Sequence, residues 1–231
     1  MKLSDIIPWG RSFQEYRRMF ALTDKDLAGN ILGCGDGPAS FNAEATELGY
    51  SVVSCDPVYA FTGNEIESRV EACYDTVISQ LRGNRDAFVW DYFRDPDHLG
   101  ECRLAAMRRF LDDFQAGKAE GRYVVGSLPK LSFADGQFSL AVVSHLLFLY
   151  SEQLDLDFHL AAFGELLRLA HEVRVFPLLG LDRCWSPHVG PVREYLTRAG
   201  FGVEVVAMSY EFQRAEDHAG NRMLRVRRLG G

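Results

Sequence analysis

Apolar positions in this chain change period several times, and the changes divide it into helices and strands. Over residues 11–22, Phe13, Tyr16 and Phe20 recur at helical spacing, with Ser12 placed to cap the helix. A short apolar strand, Ile31-Leu32, runs into the turn Gly33-Cys34-Gly35-Asp36-Gly37-Pro38. Phe41, Ala45 and Leu48 mark a second helix, which Gly49 stops. Ser51 to Cys55 reads as a strand ending at Asp56-Pro57. Strand, turn, helix and strand in that order predict the start of a parallel sheet.

The alternation lapses over residues 58–120. Ile66, Val70, Cys73, Val77 and Leu81 form one helical stripe, and Leu104, Met107, Leu111 and Phe114 form another. The aromatic stretch 88–93 lies between them. A crossover between parallel strands needs only about a dozen residues. The segment is therefore expected to be a helical insertion within a single domain of 231 residues, a long ordinary crossover being the alternative. Further strands are expected at 123–125, 139–143, 173–176 and 203–207, and helices at 156–170 and 191–198. Pro191 opens the last helix and Gly200 follows its end. Residues 208–228 read as strand, turn at 217–221 and strand, an antiparallel pair at the sheet edge. Arg222, Arg225, Arg227 and Arg228 then read as a solvated edge that discourages strand pairing.

Composition narrows the class. Apolar residues make up 47% and charged residues 25%, a globular balance. The net charge of -7 disfavours a non-specific nucleic-acid binder, which needs cations to displace phosphate counterions. Cys34, Cys55, Cys73, Cys102 and Cys184 form neither a disulfide framework nor a CxxC zinc motif. The six histidines, at 98, 145, 159, 171, 188 and 218, lack metal-ligand spacing, so no metal is expected. No uncharged apolar run approaches the roughly 20 residues of a membrane span, and the N-terminus has no signal-peptide pattern. A cytoplasmic protein without membrane contact is expected.

Open parallel sheets bind ligands at the carboxyl ends of their strands. The first such end is the glycine turn, where the backbone bends sharply and approaches a ligand closely. The helix beyond it offers free N–H groups. The second end is Asp56, a carboxylate able to accept both hydroxyl protons of a ribose. The dinucleotide pattern GxGxxG fails, because Gly33-x-Gly35-x-x reaches Pro38. This argues against a nicotinamide-dependent oxidoreductase.

Ile31-Leu32-Gly33-Cys34-Gly35-Asp36-Gly37 resembles the LGCGxG motif of class I S-adenosylmethionine-dependent methyltransferases. Asp56 resembles the acid that ends their second strand and holds the ribose. Ser127-Leu128 stands where that family contacts the adenine. The run from Leu131 to Leu140 is similar to their LPFxDxxFD segment, Ser144-His145-Leu146 to their fourth-strand end, and Gly200 to Glu204 to their GFxVE segment. The likeness covers residues 28–57 and 121–228. It departs at Ile31, Ser127 and Ser139, where the family commonly has acids. The family's Asn-Pro-Pro-Tyr motif for amino-group methylation is absent.

The resemblance implies an α/β fold with a doubly wound, mostly parallel, Rossmann-like seven-stranded sheet whose last strand is reversed. It implies S-adenosylmethionine as cofactor, held by Trp9, Arg11, Gly33, Cys34, Gly35, Asp56, Pro57, Ser127, Leu128 and Ser144. Trp9, Gly10, Arg11, Ser12 and Tyr16 are expected in a lid, with Arg11 pairing the donor carboxylate. His145 is the candidate base, or else a pocket-shaping histidine bonded to backbone. Tyr150 either orients an acceptor or packs under a loop. Trp90, Tyr92 and Phe93 either wall an acceptor pocket or anchor the insertion. Methyl transfer to a small-molecule acceptor by in-line displacement is the leading expectation. A non-catalytic binding or regulatory module and a protein or RNA methyltransferase are the alternatives.

Overall fold

The computed structural model of the chain describes residues 9–215 and 220–229. Most of the expected turn at 217–221, with His218, lies outside the described residues. Seven strands form one sheet: β1 (Asn30–Cys34), β2 (Ser51–Cys55), β3 (Tyr123–Val124), β4 (Phe138–Ser144), β5 (Ala170–Phe176), β6 (Phe201–Ala207) and β7 (Arg222–Arg228). Their spatial order is β3-β2-β1-β4-β5-β7-β6. The first five run parallel, and β7 is antiparallel to both β5 and β6. This is the sheet with a reversed last strand that the resemblance implies. The order turns back between β1 and β4, and such a switch point opens a crevice at the strand ends. Register brings the three central strands to that crevice together, because Cys34 pairs with both Cys55 and Val143.

Alternate residues of the buried strands serve opposite faces of the sheet. Leu32, Ala141, Val143 and Val173 pack with Phe163 and Leu166 of α6 (Leu156–Leu169) and Val192 of α7 (Val189–Arg198). Ile31, Leu140 and Val142 pack on the other face with Phe13 of α1 (Phe13–Met19) and Phe41 of α3 (Phe41–Glu47). A short helix, α2 (Asp24–Leu27), precedes β1 and has no apolar stripe to announce it. Ser12 caps α1 as expected, in a reciprocal box with Glu15. Leu48 departs from its expected stripe, being exposed just past the end of α3.

The crossover from β2 to β3 holds two long helices, α4 (Gly63–Gly83) and α5 (Pro96–Ala119). The α4 stripe is as expected, except that Cys73 is only half-buried and Ile78 joins it. On α5 the buried face is turned from the expected one. It carries Leu99, Arg103, Ala106, Met107, Phe110 and Phe114, while Leu104 and Leu111 are half-buried. A buried arginine displaces the face. Arg103 forms an ion pair with Glu15 of α1, and Tyr210 donates to the same carboxylate at 3.0 Å. These three residues lock α5, α1 and the segment after β6 together.

Two expectations at the C-terminal end are corrected. Among the described residues, the segment after β6 forms no strand and contributes only a bridge between Gln213 and Phe88. The arginine-rich strand is no edge, since β7 sits between β5 and β6 and β6 is the edge. Arg225 and Arg227 pair with Glu204 on β6, and Arg228 donates to the Leu167 carbonyl at 2.9 Å. Cross-strand charge pairing sets their place. No helix among the described residues is long and apolar enough to cross a membrane.

Candidate functional site

The glycine turn leaves β1 with Gly35 at φ 72° and Gly37 at φ 56°, both in the left-handed region. A side chain on Gly35 would place its Cβ 2.6 Å from Leu146 Cδ2. Gly33 is constrained differently, since a Cβ there would lie 1.9 Å from Asp36 Oδ2. The missing side chain makes room for Asp36 to fold back beneath the turn. Asp36 is buried, accepting from the Tyr16 hydroxyl at 2.7 Å and the Ser54 hydroxyl at 2.6 Å. Burial raises its pKa to about 7, against the pull of those two donors.

Asp56 ends β2 beside the turn. Its Oδ2 accepts the Gly37 amide at 2.8 Å and its Oδ1 accepts the Val58 amide at 2.8 Å. Tyr59 donates to the Gly37 carbonyl at 2.8 Å. Burial raises the Asp56 pKa, while the two amides hold it down. Each carboxylate oxygen keeps a further acceptor direction for a ligand.

A cavity of about 450 Å³ opens at these strand ends. Of the residues singled out from the sequence, Trp9, Arg11, Cys34, Gly35, Asp56, Pro57, Ser127, Leu128, Ser144 and His145 line it. Gly33, also singled out from the sequence, is not on the cavity wall. Burial pushes the Cys34 thiol well up, so it lines the cavity as a neutral group. Sequence reasoning missed Asp36, Phe61, Arg69 and Phe158, which also line it together with the lid candidate Tyr16. Arg69 of α4 lies 3.7 Å over the Phe61 ring. No local signal marks Phe61, Arg69 or Phe158.

His145 follows β4 with φ at 52°, unusual for a residue with a side chain. Its N–H donates to the Phe176 carbonyl at 2.7 Å, and Ser144 Oγ lies 2.9 Å from its Nδ1. With Nδ1–H donated to Ser144 Oγ, the His145 Nε2 lone pair is left free. Burial, with the charges of Arg11 and Arg103, holds His145 well below the usual imidazole range, so it is neutral near pH 7.

Tyr150 is not on the main cavity. It lines a smaller chamber of about 100 Å³ that shares Trp9, Arg11 and His145 with it. Val77 and Leu81 of α4 supply apolar wall. Trp90, Tyr92 and Phe93 line neither space. Trp90 and Phe93 pack on Phe212 with ring centroids 5.9 Å apart, and Tyr92 packs on Tyr210 at 5.4 Å. They anchor the crossover to the segment after β6. Among the described residues no group of three or more His, Cys, Asp or Glu is arranged to hold a metal.

The chain is 33% identical over 230 residues to the uncharacterized protein MJ0045 of Methanocaldococcus jannaschii, covering 99% of each. The chain belongs to the MJ0045 family. No family model matches it. Among solved structures, the chain is similar to magnesium protoporphyrin IX methyltransferase (ChlM) from Synechocystis PCC 6803 with bound SAM. Identity is 13% and the TM-score 0.48, over 94% of this chain and 77% of that one. It is also similar to a TehB-like SAM-dependent methyltransferase from Corynebacterium glutamicum, at 15% identity and a TM-score of 0.46. That match spans 94% of this chain and 87% of the other. For this member of the MJ0045 family, function has to be argued from the site itself.

Proposed function

We propose that this chain is an S-adenosylmethionine-dependent methyltransferase acting on a small-molecule acceptor. The observation that carries the reading is the Asp56 carboxylate, fixed by the Gly37 and Val58 amides at the mouth of the glycine turn. Two oriented acceptor oxygens beside a side-chain-free turn suit the two hydroxyls of a ribose. The cavity volume of about 450 Å³ falls in the range of small-ligand sites. Leu128 and Phe158 supply apolar surface for a base. In this reading residues 1–231 are one methyltransferase domain, and 58–120 is a helical insertion whose α4 walls the site.

When bound, the cofactor supplies a methyl group already activated on a sulfonium. The chain's own residues then have to position, enclose and handle a proton. The glycine turn and Asp56 fix the nucleoside, so the acceptor's approach direction is set by the opposite wall. Trp9 and Arg11, carried by the segment that α1 anchors, cover the cavity and exclude water. Neutral His145, held through Nδ1 by Ser144, presents Nε2 to take a proton from a hydroxyl or phenol acceptor.

The test is turnover. Purified protein, methyl-labelled S-adenosylmethionine and a panel of phenols, carboxylic acids and amines should give S-adenosylhomocysteine only when protein and a suitable acceptor are both present. Tight cofactor binding with no acceptor-dependent product across the panel would favour a non-catalytic binding module.

A further inference from the structure

We propose that the 100 Å³ chamber beside the main cavity is an acceptor subsite for a small carboxylate, with Arg11 as its receptor. The proposal rests on the methyltransferase reading and names the substrate class for the same site.

The first observation is a charge without a counterpart. Arg11 has no carboxylate within ion-pair distance among the described residues. Its Nη1 donates to the Trp9 carbonyl at 3.2 Å, and its Nε is buried with no partner. The neighbouring carboxylate, Glu15, is already taken by Arg103, by the Tyr210 hydroxyl and by the Ser12 amide. Two guanidinium groups therefore face one carboxylate, and one positive charge is left over. Burial lowers the Arg11 pKa, and Arg103 lowers it further. A guanidinium nonetheless stays charged in proteins. Arg11 is half-buried with its Nε out of solvent, and a partly desolvated charge without a partner carries a cost that a bound anion would offset.

The second observation is where the other unpaired polar groups fall. Trp9 Nε1 and Gln213 Oε1 are also buried without partners, and both side chains line this chamber with Arg11. Buried polar atoms are rarely left unpaired. Two donors and an amide around one small space fit a ligand with a charged end and a second polar group. Val77, Leu81, Leu149 and Phe212 make the rest of the wall apolar. The volume is below the roughly 150 Å³ that accommodates benzene. The part of the acceptor that enters is accordingly a short or compact carboxylic acid.

The third observation is the junction. Arg11, Trp9 and His145 line both spaces, so a molecule held in the chamber abuts the main cavity at the candidate base.

Calorimetry on the full chain tests this, using propionate and butyrate against propionamide and butyramide, with and without S-adenosylhomocysteine. A second arm compares S-adenosylhomocysteine with 5′-methylthioadenosine, which lacks the amino-acid carboxylate. Carboxylates should bind about tenfold or more tighter than their amides, and Arg11→Gln should abolish the difference. Arg11→Gln should weaken both nucleosides by the same factor. Trp9→Phe, which keeps the guanidinium, should weaken carboxylate binding and provides the readout if Arg11→Gln fails to fold. Equal affinity for acids and amides, or no carboxylate binding up to roughly 10 mM, overturns the proposal. So does selective loss of S-adenosylhomocysteine over methylthioadenosine in Arg11→Gln, which would assign Arg11 to the donor. Arg11-dependent carboxylate binding without any nucleoside binding would uphold the subsite and remove the methyltransferase reading.

Discussion

The Asp56 carboxylate reaches from the end of β2 to the Gly37 amide, 2.8 Å away, and so joins the two loops that frame the main cavity. The same carboxylate accepts the Val58 amide through its other oxygen. Asp56→Asn replaces one acceptor with an amide nitrogen, which cannot accept from either backbone donor. Loss of a charged hydrogen bond is worth about 1.5–3 kcal/mol. The variant is expected to weaken S-adenosylhomocysteine binding by about 10- to 100-fold, measured by calorimetry. An affinity equal to that of the parent would remove Asp56 from the ribose site.

Gly33 and Asp36 make a second paired prediction. Gly33→Ala puts a methyl group where Asp36 Oδ2 lies, 1.9 Å from the ideal Cβ position. Asp36 must move, and its bonds from Tyr16 and Ser54 go with it. Chemical denaturation should show a loss of about 1–3 kcal/mol or more, the cost of leaving buried partners unpaired. Gly33→Ala with unchanged stability would mean that Asp36 does not hold its place under the turn.

The local features of this site were legible in the sequence, and the long-range ones were not. The glycine turn and Asp56 announce themselves because each is a short pattern at the end of an apolar run. Tyr16 and Asp36 are separated by 20 residues, and Glu15 and Tyr210 by 195, so no window along the chain joins them. Arg103 misled the reading of α5, since a charged residue counts as solvent-facing until its partner is known. The arginines of β7 misled in the same way, because their partner Glu204 lies on the neighbouring strand. The order of β7 and β6 in the sheet is likewise a non-local property that alternation cannot reveal.

Asp36 gives the protein a definite pH response. Its folded pKa is raised to about 7 by burial, from the ordinary aspartate value of about 3.9. Between these values the folded state holds a proton that the unfolded state has released. Stability therefore falls as pH rises from about 4 to about 7, by at most about 1.4 kcal/mol per pH unit from this group, and levels off above. Asp36→Asn should remove that contribution. Melting temperatures of the two proteins, compared across pH 4–8, should converge or cross as pH rises. Parallel curves would contradict the raised pKa.

The buried pair of Glu15 and Arg103 should be costly to break and cheap to replace. Arg103→Met leaves the Glu15 carboxylate buried without its cation and should cost about 3–5 kcal/mol. Arg103→Met with Glu15→Leu should recover most of that loss, although Tyr210 then loses its acceptor. A double-mutant cycle by urea denaturation measures the coupling. Additive losses would show that the pair does not fasten α5 to α1.

Isothermal titration of the parent protein with S-adenosylhomocysteine tests the functional reading most directly. One molecule should bind per chain, with affinity that depends on Asp56. No binding of S-adenosylhomocysteine or S-adenosylmethionine by folded protein would contradict the reading.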